Sequence, residues 1–126
     1  MRNNKVYIAA PWIHRDQARV IKHQFIAAGF RVSSTWIDGH GDTDDELRLR
    51  AEAEQDYDDI VGSDIFVIIN SAPSQGKATE LGFALEAGIP VILVGDRTGN
   101  IFYHLYSVNQ VDTIEEAIEL ASTWVD

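Results

Sequence analysis

Residues 64–70, DIFVIIN, hold five consecutive branched or aromatic apolar side chains, and that run limits the folds open to the chain. A strand with one face in water alternates polar and apolar positions. An unbroken run needs cover on both faces, as in a parallel sheet flanked by helices. The run VILVG at 91–95 has the same character and closes the stretch Ser74–Gly95. Small and turn-forming residues (Ala72, Pro73, Ser74, Gln75, Gly76) open that stretch and suit a backbone approached closely by a ligand. A helix follows, with Leu81, Ala84, Leu85 and Gly88 on one face and Gly88 as C-terminal cap. On this reading Glu80 lies in the first helical turn, where free N–H groups and the positive helix end favour an ionised carboxylate.

The remaining segments alternate in the same way. Lys5–Ala10 reads as a first strand ending at Pro11-Trp12. His14–Ala28 reads as a helix with Ala18, Ile21, Phe25 and Ala28 as its stripe and Gly29 at its end. Phe30–Trp36 is expected to be a more polar edge strand, followed by the Gly- and Asp-rich loop DGHGDTDDE. Asp44–Val61 reads as a charged helix with Leu47, Ala51, Tyr57, Ile60 and Val61 available for packing. Asn100–Tyr106 reads as a short helix or turn before a fifth strand near Tyr106–Val111. Residues 112–115, DTIE, resemble a capping box opening a last helix on Ile114, Ala117, Ile118 and Ala121.

Strands alternating with helices imply an α/β fold: one domain over residues 1–126, doubly wound, with a five-stranded parallel sheet in the flavodoxin-like order 2-1-3-4-5. Ligands of such sheets bind beyond the carboxyl ends of the strands, where the order switches between strands one and three. That rule brings Tyr7–Arg15 beside Ser74–Glu80.

Composition narrows the function. Ten basic against 20 acidic residues give a net charge of −10, which argues against a nucleic-acid polymer or an acidic membrane as partner. A small anion remains acceptable at a helix N-terminus. Without cysteine there is no disulfide, thiolate metal site or thiol nucleophile. His14, His40 and His104 lack partners at metal-ligand spacing, and the Asp42–Glu46 cluster lacks the ordered spacing of a calcium loop, so neither metal nor cofactor is expected. The residues before Pro11 contain no apolar run long enough for a signal peptide, and a cytoplasmic protein is the expectation.

Four stretches, KVYIAAPW, AEQDYDDIVGSD, SQGKATELGFA and GIPVILVG, resemble the nucleoside 2-deoxyribosyltransferase family, including its 2′-deoxynucleoside 5′-monophosphate N-hydrolase branch. The likeness spans nearly the whole chain in order. It implies that Glu80 is a nucleophilic carboxylate attacking the anomeric carbon, that Asp56 orients it and helps the base to leave, and that Tyr7 hydrogen-bonds beside it. Such types suit the chemistry, because a fixed carboxylate stabilises and can trap oxocarbenium character. Asp58 and Asp59 read as solvent-facing charges instead.

Base-exchanging members carry an Asp six residues before the nucleophile, and here that position is Ser74. The monophosphate hydrolases place a Ser in that loop, so Ser74, Gly76 and the adjoining N–H groups are expected to cradle a 5′-phosphate, with Arg15 adding a charge-assisted bond. Ser74 is equally read as a plain helix cap and Arg15 as a solvated residue. Trp12 and Trp36 suit stacking on a base or a place in a core lid. Lys77 suits either a phosphate or the balance of local acid charge.

The resemblance further implies a homo-oligomer, with Asn100 or His104 near a neighbour's sugar site. The implied reading is cleavage of a nucleoside or nucleotide N-glycosidic bond through a glycosyl–Glu80 intermediate, with water as acceptor. Base exchange between nucleosides, a non-catalytic nucleotide-binding module and a related phosphoribohydrolase are the alternatives; the last expects a doubly-Gly phosphate loop that this chain lacks.

Overall fold

The computed structural model describes residues 4–39 and 43–125. Its sheet has the order β2-β1-β3-β4-β5, all neighbours parallel, with β1 at Lys5–Ala9, β2 at Arg31–Val32, β3 at Ile65–Ile69, β4 at Val91–Val94 and β5 at Val108–Val111. Every side chain of β3 and β4 is buried, as their unbroken apolar runs require. Burial of each such side chain is worth about 1.5–3 kcal/mol, and this centre holds the sheet together.

Four α-helices cover the two faces: α1 (Arg15–Ala27), α2 (Glu46–Val61), α3 (Gln75–Glu86) and α4 (Ile114–Thr123). Val6, Ile8, Val67 and Ile92 pack with Ala18, Ile21 and Phe25 of α1 and Ala117 and Ala121 of α4. Tyr7, Ala9, Phe66 and Ile68 face the opposite way, onto Ile60 of α2 and Leu81 and Ala84 of α3. The two-residue period of β1 therefore fixes which helices Tyr7 can meet.

Several boundaries differ from the sequence reading. The second strand is two residues long rather than Phe30–Trp36, and a 3-10 turn occupies Thr35–Asp38. Side chains replace the missing ladder: Ile8 N–H donates to Ser34 Oγ at 3.1 Å and Trp36 Nε1 donates to the Ile8 carbonyl at 2.8 Å. Helix α2 starts at Glu46 because Asp45, not Asp44, is its cap and accepts from the Leu47 N–H. The capping box of α4 is Thr113 with Glu116, one position beyond the 112–115 reading. The fifth strand begins at Val108, after a 3-10 turn at Ile101–His104 capped by Asn100. Gly29 and Gly88 end α1 and α3 with positive φ, as read. His40 and Asp42 lie outside the described residues. Among the described residues no helix is long and apolar enough to cross a membrane.

Candidate active site

The crossover between β1 and β3 brings the carboxyl end of β1 under α3. Tyr7, fully buried and stacked face to face on Phe66 with ring centroids 5.5 Å apart, donates its hydroxyl to Oε2 of Glu80. Glu80 in turn lines a cavity of about 620 Å³, with Tyr7 buried behind it. Asp56 and Glu52, one helical turn apart on α2, line one side of it; Ser74, Gly76, Thr79 and Glu80 line the α3 side. Trp12 and Trp36 form an aromatic wall with centroids 6.2 Å apart, and Tyr57 meets Phe83 edge-on at 5.0 Å on another part of the rim. The cavity thus offers flat apolar faces beside the carboxylates of Glu52, Asp56 and Glu80.

Glu80 does not titrate as the sequence reading expects. It is the sixth residue of α3, in the second turn, and α3 has no acidic residue in its first. Burial pushes its carboxyl up to about 7, the Tyr7 hydrogen bond opposes that rise, and the charge of Asp56 adds to it. Desolvation therefore outweighs any help from the helix end. Burial likewise raises Asp56 to about 6, aided by the charges of Asp59 and Glu52. The Tyr7 phenol is held far above its ordinary range by burial, then by Glu80 and Asp56, so it remains a donor. Tyr7 is the hydrogen-bond partner of Glu80, and Asp56 acts on it through charge.

The other expected residues divide. Ser74 caps α3, accepting from the Lys77 N–H at 3.2 Å, and its own O–H has no acceptor among the described residues. Gly76 is helical, and a Cβ there would meet only Ser74 Oγ at 3.9 Å, so its bareness leaves space on the cavity side. Arg15 stands off the cavity with its guanidinium 4.4 Å over the Trp12 ring, and its Nη1 is buried without a hydrogen-bond partner among the described residues. Asn100 and His104 are not brought to the Glu80 cavity within one chain. Asn100 Oδ1 accepts from the Phe102 N–H at 2.9 Å, and His104 lies beside a separate hollow with Arg97 and Ile101. His14 Nδ1 lies 2.5 Å from Ser71 Oγ and ties the end of β1 to the loop before α3.

A second cavity, of about 690 Å³, shares Ser74 with the first and is lined by Asn70, Ser71, Lys77, Thr98 and Asn100. Lys77 is paired with no acidic side chain among the described residues. The residue is 2% exposed, and its ammonium curls back to donate to Asn70 Oδ1 and the Ala72 carbonyl, both at 2.8 Å. Burial lowers its pKa. Asp59 is half-buried rather than a free surface charge: its carboxylate accepts from Thr35 and from Gln55. Glu52 and Phe83 escaped the sequence reading, although Glu52 precedes Asp56 by four residues and Phe83 follows Glu80 by three, spacings that share a helix face.

No family model matches the sequence, and no curated protein matches it. Solved structures do match. The Clostridium botulinum CMP N-glycosidase BcmB superposes with a TM-score of 0.61 at 20% identity, covering 94% of this chain and 98% of that one. A conserved protein of Enterococcus faecalis V583 gives 0.70 at 16% identity, covering 98% and 99%. A 2-deoxyribosyltransferase from Bacillus psychrosaccharolyticus gives 0.68 at 21% identity, covering 90% of each chain. The chain therefore shares, over nearly its whole length, the flavodoxin-like fold of a nucleotide N-glycosidase and a deoxyribosyltransferase.

Proposed function

We propose that this protein is an N-glycosidase of the nucleoside 2-deoxyribosyltransferase family, cleaving a nucleoside or nucleoside 5′-monophosphate through a glycosyl–Glu80 ester. The observation that carries the reading is Glu80, held from behind by the Tyr7 hydroxyl, lining an aromatic-walled cavity that Asp56 also lines. Ionised Glu80 attacks C1′ of the sugar, the C1′–N bond breaks, and its electron pair leaves with the base. Asp56, raised to about 6, supplies a proton to the departing base. Water then attacks C1′, gives up its proton to Asp56 and frees the Glu80 carboxylate. Two displacements retain the anomeric configuration.

Ser74 supports a monophosphate as the substrate. Its hydroxyl stands at the boundary of the two cavities, beside the start of α3, and the second cavity carries the buried Lys77 ammonium. A nucleotide lying across Ser74 has its sugar over Glu80 and its phosphate toward the helix N-terminus. One observation favours base exchange between neutral nucleosides instead: Glu52, Asp56 and Glu80 line the first cavity, and among the described residues no Lys or Arg does. Assembly into at least a dimer in the cytoplasm belongs to the same reading, with Asn100 or His104 close to a neighbour's sugar site. The exposed Ile101, Phe102 and Tyr106 support it as apolar contact surface.

The test is product analysis after incubation with CMP, dCMP, dGMP and the parent nucleosides, with and without a free acceptor base. The reading expects free base and sugar phosphate, formed faster from a monophosphate than from its nucleoside. Base exchange between nucleosides outrunning monophosphate hydrolysis establishes the transferase; absence of any bond cleavage establishes a binding module.

A further inference from the structure

The β1–β2 ladder ends before Thr35, whose N–H meets Asp59 instead of β1. Arg31 N–H donates to the Asn4 carbonyl at 3.0 Å and Ser33 N–H to the Val6 carbonyl at 2.8 Å. The next step of that register would bring Thr35 N–H onto the Ile8 carbonyl. It goes instead to Asp59 Oδ2 at 3.2 Å, and the Thr35 hydroxyl donates to the same oxygen at 2.7 Å. The vacated Ile8 carbonyl accepts from Trp36 Nε1 at 2.8 Å. On the other side, Asp59 Oδ1 accepts from Gln55 Nε2 at 2.8 Å, and the Asp59 carbonyl accepts from Ser33 Oγ at 3.1 Å.

Asp59 thus joins the 3-10 turn that carries Trp36 to the helix that carries Asp56. A continued strand would satisfy Ile8 with backbone and leave the Trp36 indole no partner there. With the strand turned away, the indole is drawn onto Ile8 and its ring becomes a wall of the cavity beside Trp12.

We propose that Asp59 is a positioning residue: by taking the Thr35 N–H out of the ladder it places the Trp36 indole against the substrate base. The kinetic part of this inference rests on the function proposed above; the structural part does not. An acceptor is what the position needs. Asn retains one, since its carbonyl can accept from Thr35 while the Gln55 amide turns to offer its oxygen to the new NH₂. Ala retains none.

The experiment measures solvent exchange of the Trp36 indole N–H by nuclear magnetic resonance in the full chain. It compares the wild type with Asp59→Ala, Asp59→Asn and Thr35→Val. Exchange should be about ten-fold faster or more in Asp59→Ala, within about three-fold of wild type in Asp59→Asn, and intermediate in Thr35→Val. With whichever of CMP, dCMP and dGMP the wild type cleaves, Asp59→Ala should raise KM about ten-fold with kcat within about three-fold, and Asp59→Asn should restore KM. If Asp59→Ala does not fold, Thr35→Val carries the same comparison. An indole proton as protected as in the wild type in the folded variants overturns the inference, as does a fall in kcat at unchanged KM. If no substrate is cleaved, the function proposed above fails and the indole exchange alone decides the role of Asp59.

Discussion

The Tyr7 hydroxyl donates to Oε2 of Glu80, joining the buried strand β1 to helix α3 at one carboxylate. Tyr7 has no exposed surface and stacks on Phe66, so its phenol is held where Glu80 requires it. The hydrogen bond lowers the Glu80 pKa while burial and Asp56 raise it, and the balance stands at about 7. Most of the behaviour expected of this site follows from that opposition.

Removing each influence should move the pH profile in opposite directions. Tyr7→Phe keeps the stack and loses the bond, so the Glu80 pKa rises and the acid limb of kcat/KM moves above about 7. Loss of a hydrogen bond to a charged group, about 1.5–3 kcal/mol, makes the fall at neutral pH roughly ten- to hundred-fold. Asp56→Asn removes a charge that raises Glu80, so the limb moves below about 7. Its kcat nevertheless falls by about ten- to thousand-fold as proton transfer is lost. Profiles that shift together, or not at all, contradict the coupling.

Glu80 should destabilise the protein at neutral pH. Below its ordinary value of 4.5 the folded and unfolded chains both hold the proton. Between 4.5 and about 7 the unfolded chain releases a proton that the native state keeps, so native stability falls as pH rises through this window. Above it the full penalty persists, at most about 3 kcal/mol. Glu80→Gln should therefore raise Tm at pH 8 and leave it nearly unchanged at pH 4, while abolishing turnover. Thermal melts at the two pH values check this, and an equal gain at both contradicts it.

Ser74 has two tasks that different substitutions separate. Ser74→Ala removes the α3 cap, costing about 1 kcal/mol, and should also erode any preference for a monophosphate over its nucleoside. Ser74→Asp supplies an equally good cap but places a charge where the phosphate would lie. It should keep Tm near that of the wild type while lowering kcat/KM for the monophosphate far more than for the nucleoside. Melting temperatures and the two kcat/KM values measured together test this. A monophosphate-to-nucleoside ratio unchanged in both variants removes Ser74 from the phosphate site.

Lys77 should matter through the loop it ties. Lys77→Met keeps the buried stem but leaves Asn70 Oδ1 and the Ala72 carbonyl without their donor. Fully buried acceptors left unsatisfied cost about 1–3 kcal/mol, and these two are half-buried, so the cost falls at the low end, about 1 kcal/mol. The variant should be less stable by about that amount in urea unfolding, and its KM for a monophosphate should rise because the loop leading to Ser74 is freed. Undiminished stability contradicts this account.

The central architecture was legible in the sequence because continuous apolar runs cannot be placed anywhere but the middle of a doubly covered sheet. Parallel topology then brought Tyr7–Arg15 beside Ser74–Glu80 without knowledge of any contact, while Asp56 was singled out by the family resemblance alone. What stayed hidden depends on side chains standing in for backbone or reversing direction. The second strand read as seven residues because nothing in FRVSSTW announces that Ser34 and Trp36 will serve Ile8 with their side chains. Glu80 read as readily ionised because helix position is visible in a sequence and desolvation is not. Lys77 read as balancing acid charge or meeting a phosphate, and nothing in the sequence shows that its flexible stem folds the ammonium back onto Asn70 and Ala72. Asp59, one among several acids on α2, gave no sign that Thr35 would reach it.

The covalent role of Glu80 is tested most directly by mass spectrometry of protein quenched during turnover of a slow substrate, with digestion to locate any adduct. A 2-fluorinated deoxynucleotide is suited to this, because the electron-withdrawing substituent slows loss of the sugar from the ester. The account predicts a sugar- or sugar-phosphate-sized mass increase on the peptide containing Glu80 and none in Glu80→Gln. Cleavage of that substrate with no adduct, together with undiminished turnover by Glu80→Ala, contradicts it.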